Sequence, residues 1–588
     1  MKRAHIIVGI AVDVGVAVYL GGVLCALPAC YRPRIVDCVV SCGAGPAQPC
    51  ANGMTCSNGL CTRGLVCPRP PSPPAAPACV RNALRCWGPD IQRCDQDGVW
   101  QTDRTCAIDQ QCFAASCVTC MPGAAGCDDT GGAVRRCSAA GSWTSTLACQ
   151  DSARCLDNLC AVTRQLSSMS AGEAHTCATV GDGVKCWGDN TQGQLGTGDA
   201  NPRGVAPGQM GDNLLVVALA PGDQVSAVTA GGTHSCALLR SGQVKCWGDN
   251  SYGQLGVGDR RTRGLFHDDL GAALPAAKLG GSSALAISAG RAHTCALLPS
   301  RDGEVTCWGD NRSGQLGVGD RLPRGTGEGA TGDPAPVDLG SAGGVFAISA
   351  GANHSCALLS NGAVKCWGAN DDGQLGQGDV RARGTGPGEM GDQLGPVDLG
   401  PGRLATAVAA GGAHTCALLD DGTVKCWGAN SAGQLGLGAT DNRGGKAGQM
   451  GSHLPAVDLG PGKGALAIAT GAAHSCALLS DGLVKCWGAN LFGQLGQGDT
   501  QNRGGAAGEL ADQPPVALGR SGSEALRAQI ITASSNHACA LLMNGEARCW
   551  GLNAAGQLGQ GDRNNRGAAP GELGDGLPAI RLVGPAAP

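Results

Sequence analysis

Aromatic side chains are scarce in this sequence. Phe, Tyr and Trp together account for 3% of the 588 residues. A chain of this length built from ordinary layered domains would need several large apolar cores, and so few rings cannot dominate them. The composition therefore favours a repeat array with frequent turns over a series of conventional domains.

Strong charge of either sign is also missing. The net charge is −4, and there is no long run of lysine or arginine. The chain lacks the basic stripe that follows a phosphate backbone, so nucleic acid is not expected as a partner. Beyond residue 29 no segment reaches ~18 consecutive apolar residues, which excludes a later membrane-spanning helix.

Motifs of catalysis are absent too. No pair of carboxylates stands out, no Gly-x-Ser-x-Gly turn accompanies a triad, and no phosphate-cradling glycine motif occurs. No catalytic residue, metal ligand or cofactor is therefore assigned, and the protein is predicted not to be an enzyme.

Cysteine, in contrast, is abundant. A reducing cytosol would leave the 34 cysteines as reactive thiols, so export is predicted. A cationic start at residues 1–3 and a mostly apolar stretch after it indicate a signal segment 1–29. Cys30 follows a Leu-Pro-Ala sequence similar to the one before lipidated bacterial cysteines, which predicts lipidation of Cys30. Signal cleavage without lipid and an uncleaved membrane anchor are the alternatives, and each places the protein outside the cell or in the outer envelope.

Small cysteine-rich modules follow the signal segment. Residues 30–67 form the first, and the Pro/Ala-rich linker 68–78 favours an extended chain. Residues 79–160 contain two tandem repeats, each with six cysteines and one tryptophan at matching spacing. Three disulfides per repeat are expected, but six cysteines allow 15 pairings, so the connectivity stays open.

The rest of the chain, residues 161–588, repeats with a period near 60 residues. One copy reads His414-Thr-Cys416-Ala-Leu-Leu, then Gly-Thr-Val-Lys-Cys426-Trp427-Gly, then Gly433-Gln-Leu-Gly. Equivalent copies begin at His175, His234, His293, His354, His474 and His537, which makes seven.

Each copy contains an alternating hairpin. Between Cys236 and Cys246 the turn includes Gly242, which can take the positive φ that a three-residue loop requires. Counting back from the turn pairs Leu239 with Gln243 and places Cys236 opposite Cys246, within reach of a disulfide. The same reasoning predicts the disulfides Cys177–Cys186, Cys236–Cys246, Cys295–Cys307, Cys356–Cys366, Cys416–Cys426, Cys476–Cys486 and Cys539–Cys549.

A hairpin of this kind cannot bury both faces alone, so radial repetition into a propeller is expected. The copy that starts at His175 lacks the leading apolar stretch that every other copy receives from its predecessor. The carboxyl-terminal stretch 578–583 is predicted to pair there and close the ring, removing two exposed sheet edges.

The segments His-[Ser/Thr]-Cys-Ala-Leu-Leu, Gly-x-Val-x-Cys-Trp-Gly and Gly-Gln-Leu-Gly-x-Gly-Asp resemble the repeat of the regulator of chromosome condensation family. The resemblance covers all seven copies and implies an all-β fold, a seven-bladed β-propeller of four-stranded blades. It also implies several unrelated activities, namely nucleotide exchange on a small GTPase, ultraviolet sensing through clustered tryptophans, and inhibition of secreted β-lactamases. The paired cysteines, signal segment and cysteine-rich front make this chain similar to exported bacterial members, and fold alone does not choose among the activities.

The repeated polar and aromatic residues have a structural interpretation. A histidine two residues before a cysteine could serve a metal site, but seven near-identical copies favour a repeated structural hydrogen bond. The tryptophans are expected to pack the blades and not to stack on a ligand; they are Trp187, Trp247, Trp308, Trp367, Trp427, Trp487 and Trp550. Carboxylates in loops 388–392 and 571–575 lack the alternation of a calcium loop and are expected to be solvated turn residues.

The loops that differ between copies are the functional candidates. Each follows an Arg-Gly pair, and equivalent loops are expected on one side of a propeller; the arginines are Arg203, Arg263, Arg324, Arg383, Arg443, Arg503 and Arg566. Phe266, His267 and Asp268 form the most divergent loop, an aromatic beside charges that suits a partner-binding anchor, with loop drift as the simpler alternative.

The sequence as a whole predicts an exported or surface-anchored, non-catalytic scaffold that binds a protein partner of unknown identity. Membrane contact is expected only through the lipid anchor or an uncleaved signal. A secreted inhibitor of an extracellular enzyme and a structural envelope protein are the alternatives.

Overall fold

The computed structural model describes residue 166, residues 168–300, 303–327, 334–341 and 343–582, and before them the backbone of short strands. The signal segment 1–29, Cys30 and the linker 68–78 lie outside the described residues. The strands before residue 166 are β1 (Val40–Ser41), β2 (Thr55–Ser57), β3 (Leu60–Thr62), β4 (Leu84–Trp87), β5 (Asp90–Cys94), β6 (Trp100–Thr105), β7 (Gln111–Phe113), β8 (Ser116–Val118), β9 (Ala125–Cys127), β10 (Ala133–Cys137), β11 (Trp143–Ala148), β12 (Arg154–Leu156) and β13 (Leu159–Ala161).

The duplication in the cysteine-rich region recurs in the backbone. Strands β4, β5 and β6 form a three-stranded sheet, and so do β9, β10 and β11; a two-stranded hairpin follows each sheet. Cys112 lies opposite Cys117 in the first hairpin, as Cys155 lies opposite Cys160 in the second. The two sequence repeats therefore have the same strand order.

Seven three-stranded antiparallel sheets follow in the described residues after 168. Their strands are β14 (Met169–Ala171), β15 (His175–Val180) and β16 (Gly183–Gly188) in sheet 1; β17 (Val225–Ala230), β18 (His234–Leu239) and β19 (Val244–Gly248) in sheet 2; β20 (Ala286–Ala289), β21 (His293–Leu298) and β22 (Glu304–Gly309) in sheet 3; β23 (Val345–Ala350), β24 (His354–Leu359) and β25 (Val364–Gly368) in sheet 4; β26 (Ala405–Ala410), β27 (His414–Leu419) and β28 (Val424–Gly428) in sheet 5; β29 (Ala465–Thr470), β30 (His474–Leu479) and β31 (Val484–Gly488) in sheet 6; and, after the small hairpin β32 (Arg520–Ser521) and β33 (Glu524–Ala525), β34 (Ala528–Ser534), β35 (His537–Leu542) and β36 (Ala547–Gly551) in sheet 7.

In the described residues, helical structure is confined to single turns. One short α-helix, α1, spans Glu509–Asp512, and 3₁₀ turns lie at Gly211–Asn213, His267–Asp269, Gly391–Gln393, Gly451–His453 and Gly574–Gly576. In the part of the chain that the structure describes, none of these helices has the length and apolarity needed to cross a bilayer.

The register of the hairpins agrees with the sequence prediction. The Leu239 amide donates to the Gln243 carbonyl around Gly242, whose φ is 82°. Cys236 lies opposite Cys246. In all seven predicted pairs the sulfur atoms lie at disulfide-bonding distance, with Cα atoms 4.0–4.1 Å apart.

The fourth strand that the family resemblance implied does not form as a strand in the described residues. The stretch that follows each sheet instead makes one backbone hydrogen bond to the last strand, as when the Val397 amide donates to the Val364 carbonyl. Two features limit the pairing in this copy. Pro396 removes an amide from the ladder, and the Leu399 carbonyl accepts a hydrogen bond from the buried Lys425 ammonium at 2.9 Å.

The carboxyl-terminal stretch was expected to pair with sheet 1, and that prediction is wrong. The Ile580 amide donates to Ala547 of sheet 7, the sheet that immediately precedes it in the chain. The stretch reaches sheet 1 through a hydrogen bond from Lys185 Nζ to the Leu582 carbonyl, 2.7 Å long. The seven sheets therefore stay separate, and no single closed sheet is formed in the described residues.

The apolar core lies between neighbouring sheets. Each buried cluster joins side chains of consecutive repeats; one of them, for example, contains Met169 and Trp187 of sheet 1 together with Ile530 and Leu541 of sheet 7. Sheet 7 thus packs on sheet 1 with the same kinds of residue that join the other neighbours.

Candidate functional site

The repeat tryptophans join each sheet to the one before it. All seven indoles are fully buried, and each Nε1–H donates to a glutamine carbonyl of the preceding repeat at 2.9–3.0 Å. The last of these bonds runs from Trp187 of the first repeat to Gln557 of the seventh. The series of bonds therefore returns to its start, and we call the seven sheets joined in this way the ring.

The repeat histidines form a second series. His175 Nε2 lies 2.9 Å from Ser235 Oγ of the next sheet, and the same hydroxyl donates to the Gln194 carbonyl at 2.9 Å. Because the hydroxyl proton points at that carbonyl, the imidazole must donate through Nε2–H. Equivalent bonds join His234 to Thr294, His293 to Ser355, His354 to Thr415, His414 to Ser475 and His537 to Thr176.

Burial keeps these imidazoles neutral. It lowers the pKa of His175, His354, His414 and His537 to about 3, and that of His234, His293 and His474 to about 4. The predicted structural hydrogen bond is confirmed at six of the seven histidines. Within the described residues, no group of three or more His, Cys, Asp or Glu side chains could hold a metal ion.

Replacing Trp427 with Phe tests the indole bond. The variant loses the donor to the Gln374 carbonyl, 2.9 Å away, and leaves a small void in a fully buried site. We expect the free energy of unfolding to fall by about 2–4 kcal/mol, as for other losses of a buried hydrogen bond with packing. Chemical denaturation measures the loss, and Phe266→Leu, at a ring 66% exposed, is the control that should change little. Equal stability of both variants would contradict this role.

The carboxylates of two variable loops accept hydrogen bonds from backbone amides of the same loops. Glu389 Oε2 accepts from the amides of Thr385 and Gly386 at 2.7 and 3.0 Å. Glu572 Oε2 accepts from Ala568 and Ala569, both at 2.9 Å. These carboxylates stabilise turns, which agrees with the structural reading of the loops that had been considered for calcium.

A cavity of about 240 Å³ lies where the first strands of the seven sheets end. Its lining is mostly Gly and Ala, since the residues before each histidine are small. Glu173 and Arg291 are the charged exceptions, with Arg291 Nε and Glu173 Oε2 3.8 Å apart. Sequence reasoning missed this pair; the signal was the position two residues before the repeat histidine, which is charged in two copies only.

The predicted partner-binding loop is exposed. Phe266 is 66% exposed, and His267 and Asp268 lie at the surface beside it. Asp269 is buried and anchors the loop, because Arg261 donates to its carboxylate at 2.5 Å. The ring therefore presents Phe266 on a fixed support. Sequence reasoning missed the other exposed large apolar residues, which include Leu322, Val380 and Leu491.

These repeats are similar to those of known proteins. Residues 217–581 match the RCC1-like domain, and residues 167–194 and 183–238 match the regulator of chromosome condensation (RCC1) repeat. The chain is 30% identical over 419 residues to the ultraviolet-B receptor UVR8 of Arabidopsis thaliana, a match that covers 70% of this chain and 82% of the receptor. It is 29% identical to the E3 ubiquitin-protein ligase HERC2 of Homo sapiens over 64% of this chain but 7% of that protein.

A solved structure is also similar. Prp20p of Saccharomyces cerevisiae, described with its binding properties to Gsp1p and histones, shares 20% identity and a TM-score of 0.48, over 72% of this chain and 88% of that one. The family profile and the curated receptor, however, decide the assignment. The chain belongs to the family of proteins with regulator of chromosome condensation (RCC1) repeats.

Proposed function

We propose that this protein is an exported or surface-anchored scaffold that binds a protein partner and catalyses no reaction. In this proposal the seven sheets act as the blades of one closed propeller, with the stretch after each sheet as its fourth edge. The cysteine-rich modules precede the propeller and connect it to the cell surface or to a lipid on Cys30.

One observation carries the proposal: the repeated residues are used up in holding the ring together. The tryptophan indoles, the histidine Nε2 atoms at six positions and the loop carboxylates already bind groups of the chain itself. Several large apolar side chains at positions that vary between copies face solvent, among them Phe266 at 66%. A rigid support with variable exposed loops is the arrangement of a recognition surface.

Two further points support the proposal. The disulfide-spaced cysteines within each sheet suit an oxidising compartment. Binding of other proteins is also what the published description of Prp20p states for that relative.

Affinity capture with matched variants tests it. The full-length protein, produced in its native host, is used as bait for envelope and secreted proteins. Phe266→Ala is expected to reduce capture of the partner about tenfold or more, the usual loss at an aromatic hot spot. Leu491→Ala is the control, because Leu491 is 68% exposed, close to the 66% of Phe266, but lies in another repeat.

Four outcomes test the proposal and its alternatives. A captured enzyme whose activity falls on binding would make the protein an inhibitor. Equal capture by wild type and both variants would place the binding site elsewhere than Phe266, and no capture at all would favour a structural envelope role. Turnover of a substrate by the purified chain would overturn the non-catalytic assignment.

A further inference from the structure

The seven seams of the ring are not equivalent. A seam is the contact between one sheet and the next, and four kinds of side-chain hydrogen bond cross it. Three were described above: indole to glutamine carbonyl, Ser/Thr hydroxyl to the same carbonyl, and histidine to that hydroxyl. In the fourth, a hydroxyl on the first strand of one sheet accepts from a backbone amide of the next sheet, as Ser170 Oγ accepts from Ala230 at 2.9 Å.

The fourth kind of bond recurs in the same way around most of the ring. Thr229 accepts from Ala289, Ser288 from Ala350, Ser349 from Ala410 and Thr532 from Ala171, at 2.9–3.2 Å. The last of these joins sheet 7 to sheet 1, so the seam between the two ends of the repeat array has all four kinds of bond.

The seam between sheets 6 and 7, called seam 6–7, has lost three of the four. Ala538 stands where the other sheets have Ser or Thr, which removes both bonds of that hydroxyl, and Ala469 removes the hydroxyl of the first strand. Of the four kinds, the Trp550 indole bond to the Gln494 carbonyl, 3.0 Å long, is the one that is kept, and the Gln494 side-chain amide also donates to Asn536 Oδ1 across this seam at 3.3 Å. Seam 5–6 comes next, where Ala409 removes one bond of the four.

The loss at seam 6–7 leaves one buried nitrogen without the hydroxyl that pairs with it elsewhere. His474 is fully buried, its Nε2 has no Ser or Thr hydroxyl against it, and the neighbouring group that favours its charged form is the Ser535 backbone. Replacing both members of a pair by apolar groups can be nearly neutral, but replacing one strands the other at a cost of about 1–3 kcal/mol. Only the hydroxyl side was replaced here, so the seam carries this cost.

Backbone strain occurs at the same place. Ser535 follows the first strand of sheet 7 and has φ 32°, the one positive φ among the non-glycine residues that the structure describes. Its carbonyl accepts from the Ala472 amide across the seam at 3.0 Å. Ser535 and Asn536 form the two-residue turn between β34 and β35, with Ser534 paired to His537, so this strain belongs to the turn beside the seam.

From these observations we propose that seam 6–7 is where the ring opens. Sheets 6 and 7 separate there in local fluctuations while the other seams stay closed. The termini of the repeat array meet at the fully bonded seam 7–1, so the break lies inside the array and not at its ends. Apolar packing across seam 6–7, which includes Trp550, keeps the open state a minor one.

Hydrogen exchange measured by mass spectrometry on the oxidised full-length protein tests this proposal. Amides of β34 and β35 are expected to exchange faster than their equivalents in the other sheets. Ala538→Ser restores the hydroxyl between His474 and the Gln494 carbonyl, and should slow exchange there about tenfold, the effect of one recovered buried hydrogen bond. Ala554→Ser, at an exposed loop position of the same repeat, is the control that should change nothing.

A second variant keeps the test decisive if Ala538→Ser folds poorly. Ser475→Ala removes the corresponding hydroxyl from seam 5–6, where it now bonds His414 and Gln434 at 2.9 Å. Fast exchange should then extend to β29 and β30. Uniform exchange across the seven sheets of the wild type, or no response at seam 5–6 to Ser475→Ala, would refute the proposal.

Discussion

Acidification from pH 7 to pH 5 is expected to unfold the ring. The seven repeat histidines are fully buried, and burial lowers each pKa to about 3 or about 4. In the unfolded chain the same side chains titrate near the ordinary value, about 6.5. The unfolded state therefore binds more protons throughout the interval between these values.

The free energy of unfolding therefore falls as the pH is lowered. Above pH 6.5 both states are neutral at these positions, and stability does not depend on the histidines. As the pH falls below 6.5 the unfolded state gains protons that the folded state cannot take up, and each histidine costs about 1.4 kcal/mol per pH unit. The loss continues until the pH reaches the folded values near 4 and 3.

Calorimetry of the oxidised protein at pH 7, 6, 5 and 4 measures this effect. The melting temperature should fall steeply from pH 6 downward. The aspartates paired with arginine, such as Asp259 beside Arg263, have a lowered pKa and lose their contribution only below about pH 4, the ordinary range of a carboxyl. A transition that begins near pH 6 therefore belongs to the histidines.

A matched pair of variants identifies the groups responsible. His354→Gln removes one buried imidazole and should reduce the pH dependence of the unfolding free energy between pH 6 and 4 by about one proton. Ala554→Gln places the same amide side chain at an exposed loop position, removes no imidazole, and serves as the control. A melting temperature that is flat from pH 7 to 4 would show that the histidines are hydrated in the folded protein.

Reduction of the disulfides is the second change with a large expected effect. Each of the seven hairpins is closed by a cysteine pair 9 to 12 residues apart. A loop of this size contributes about 2–3 kcal/mol in the chain-entropy description, because the bond restricts the unfolded chain. Loss of all seven exceeds the usual net stability of a folded domain, so the reduced ring should unfold at ordinary temperature.

Thiol counting and thermal melting with and without a strong reductant measure this. Under non-reducing conditions, peptides that contain Cys416 and Cys426 should be recovered linked to each other. The double variant Cys416→Ala/Cys426→Ala should lower stability by about 2–3 kcal/mol and leave the other six pairs intact. Free thiols throughout the native protein, or an unchanged melting temperature after reduction, would contradict both the covalent pairing and the case for export.

Some features of the fold could be predicted from the sequence, and others could not. The facing cysteines followed from the turn alone, since Gly242 fixes the register and the register fixes which side chains oppose each other. The fourth strand implied by the family resemblance does not form, and in one copy the Leu399 carbonyl instead binds Lys425, a contact between residues 26 apart that no local pattern reveals. The predicted pairing of residues 578–582 with sheet 1 was wrong for a similar reason. A segment at the end of the array can pair with sheet 1 or with sheet 7, and the local sequence does not distinguish them.

What the sequence determined by itself is the repeating unit: period 2 alternation, turn glycines and cysteine spacing are local properties, and they specify each hairpin without reference to its neighbours. Only the tertiary structure decided what the repeated side chains do. The indole of Trp187 and the carbonyl of Gln557 are 370 residues apart and meet because the sheets pack in a ring. The tertiary structure also decided the difference between seam 6–7 and its neighbours. Ala538 matters because packing places it next to His474, where the other sheets supply a hydroxyl.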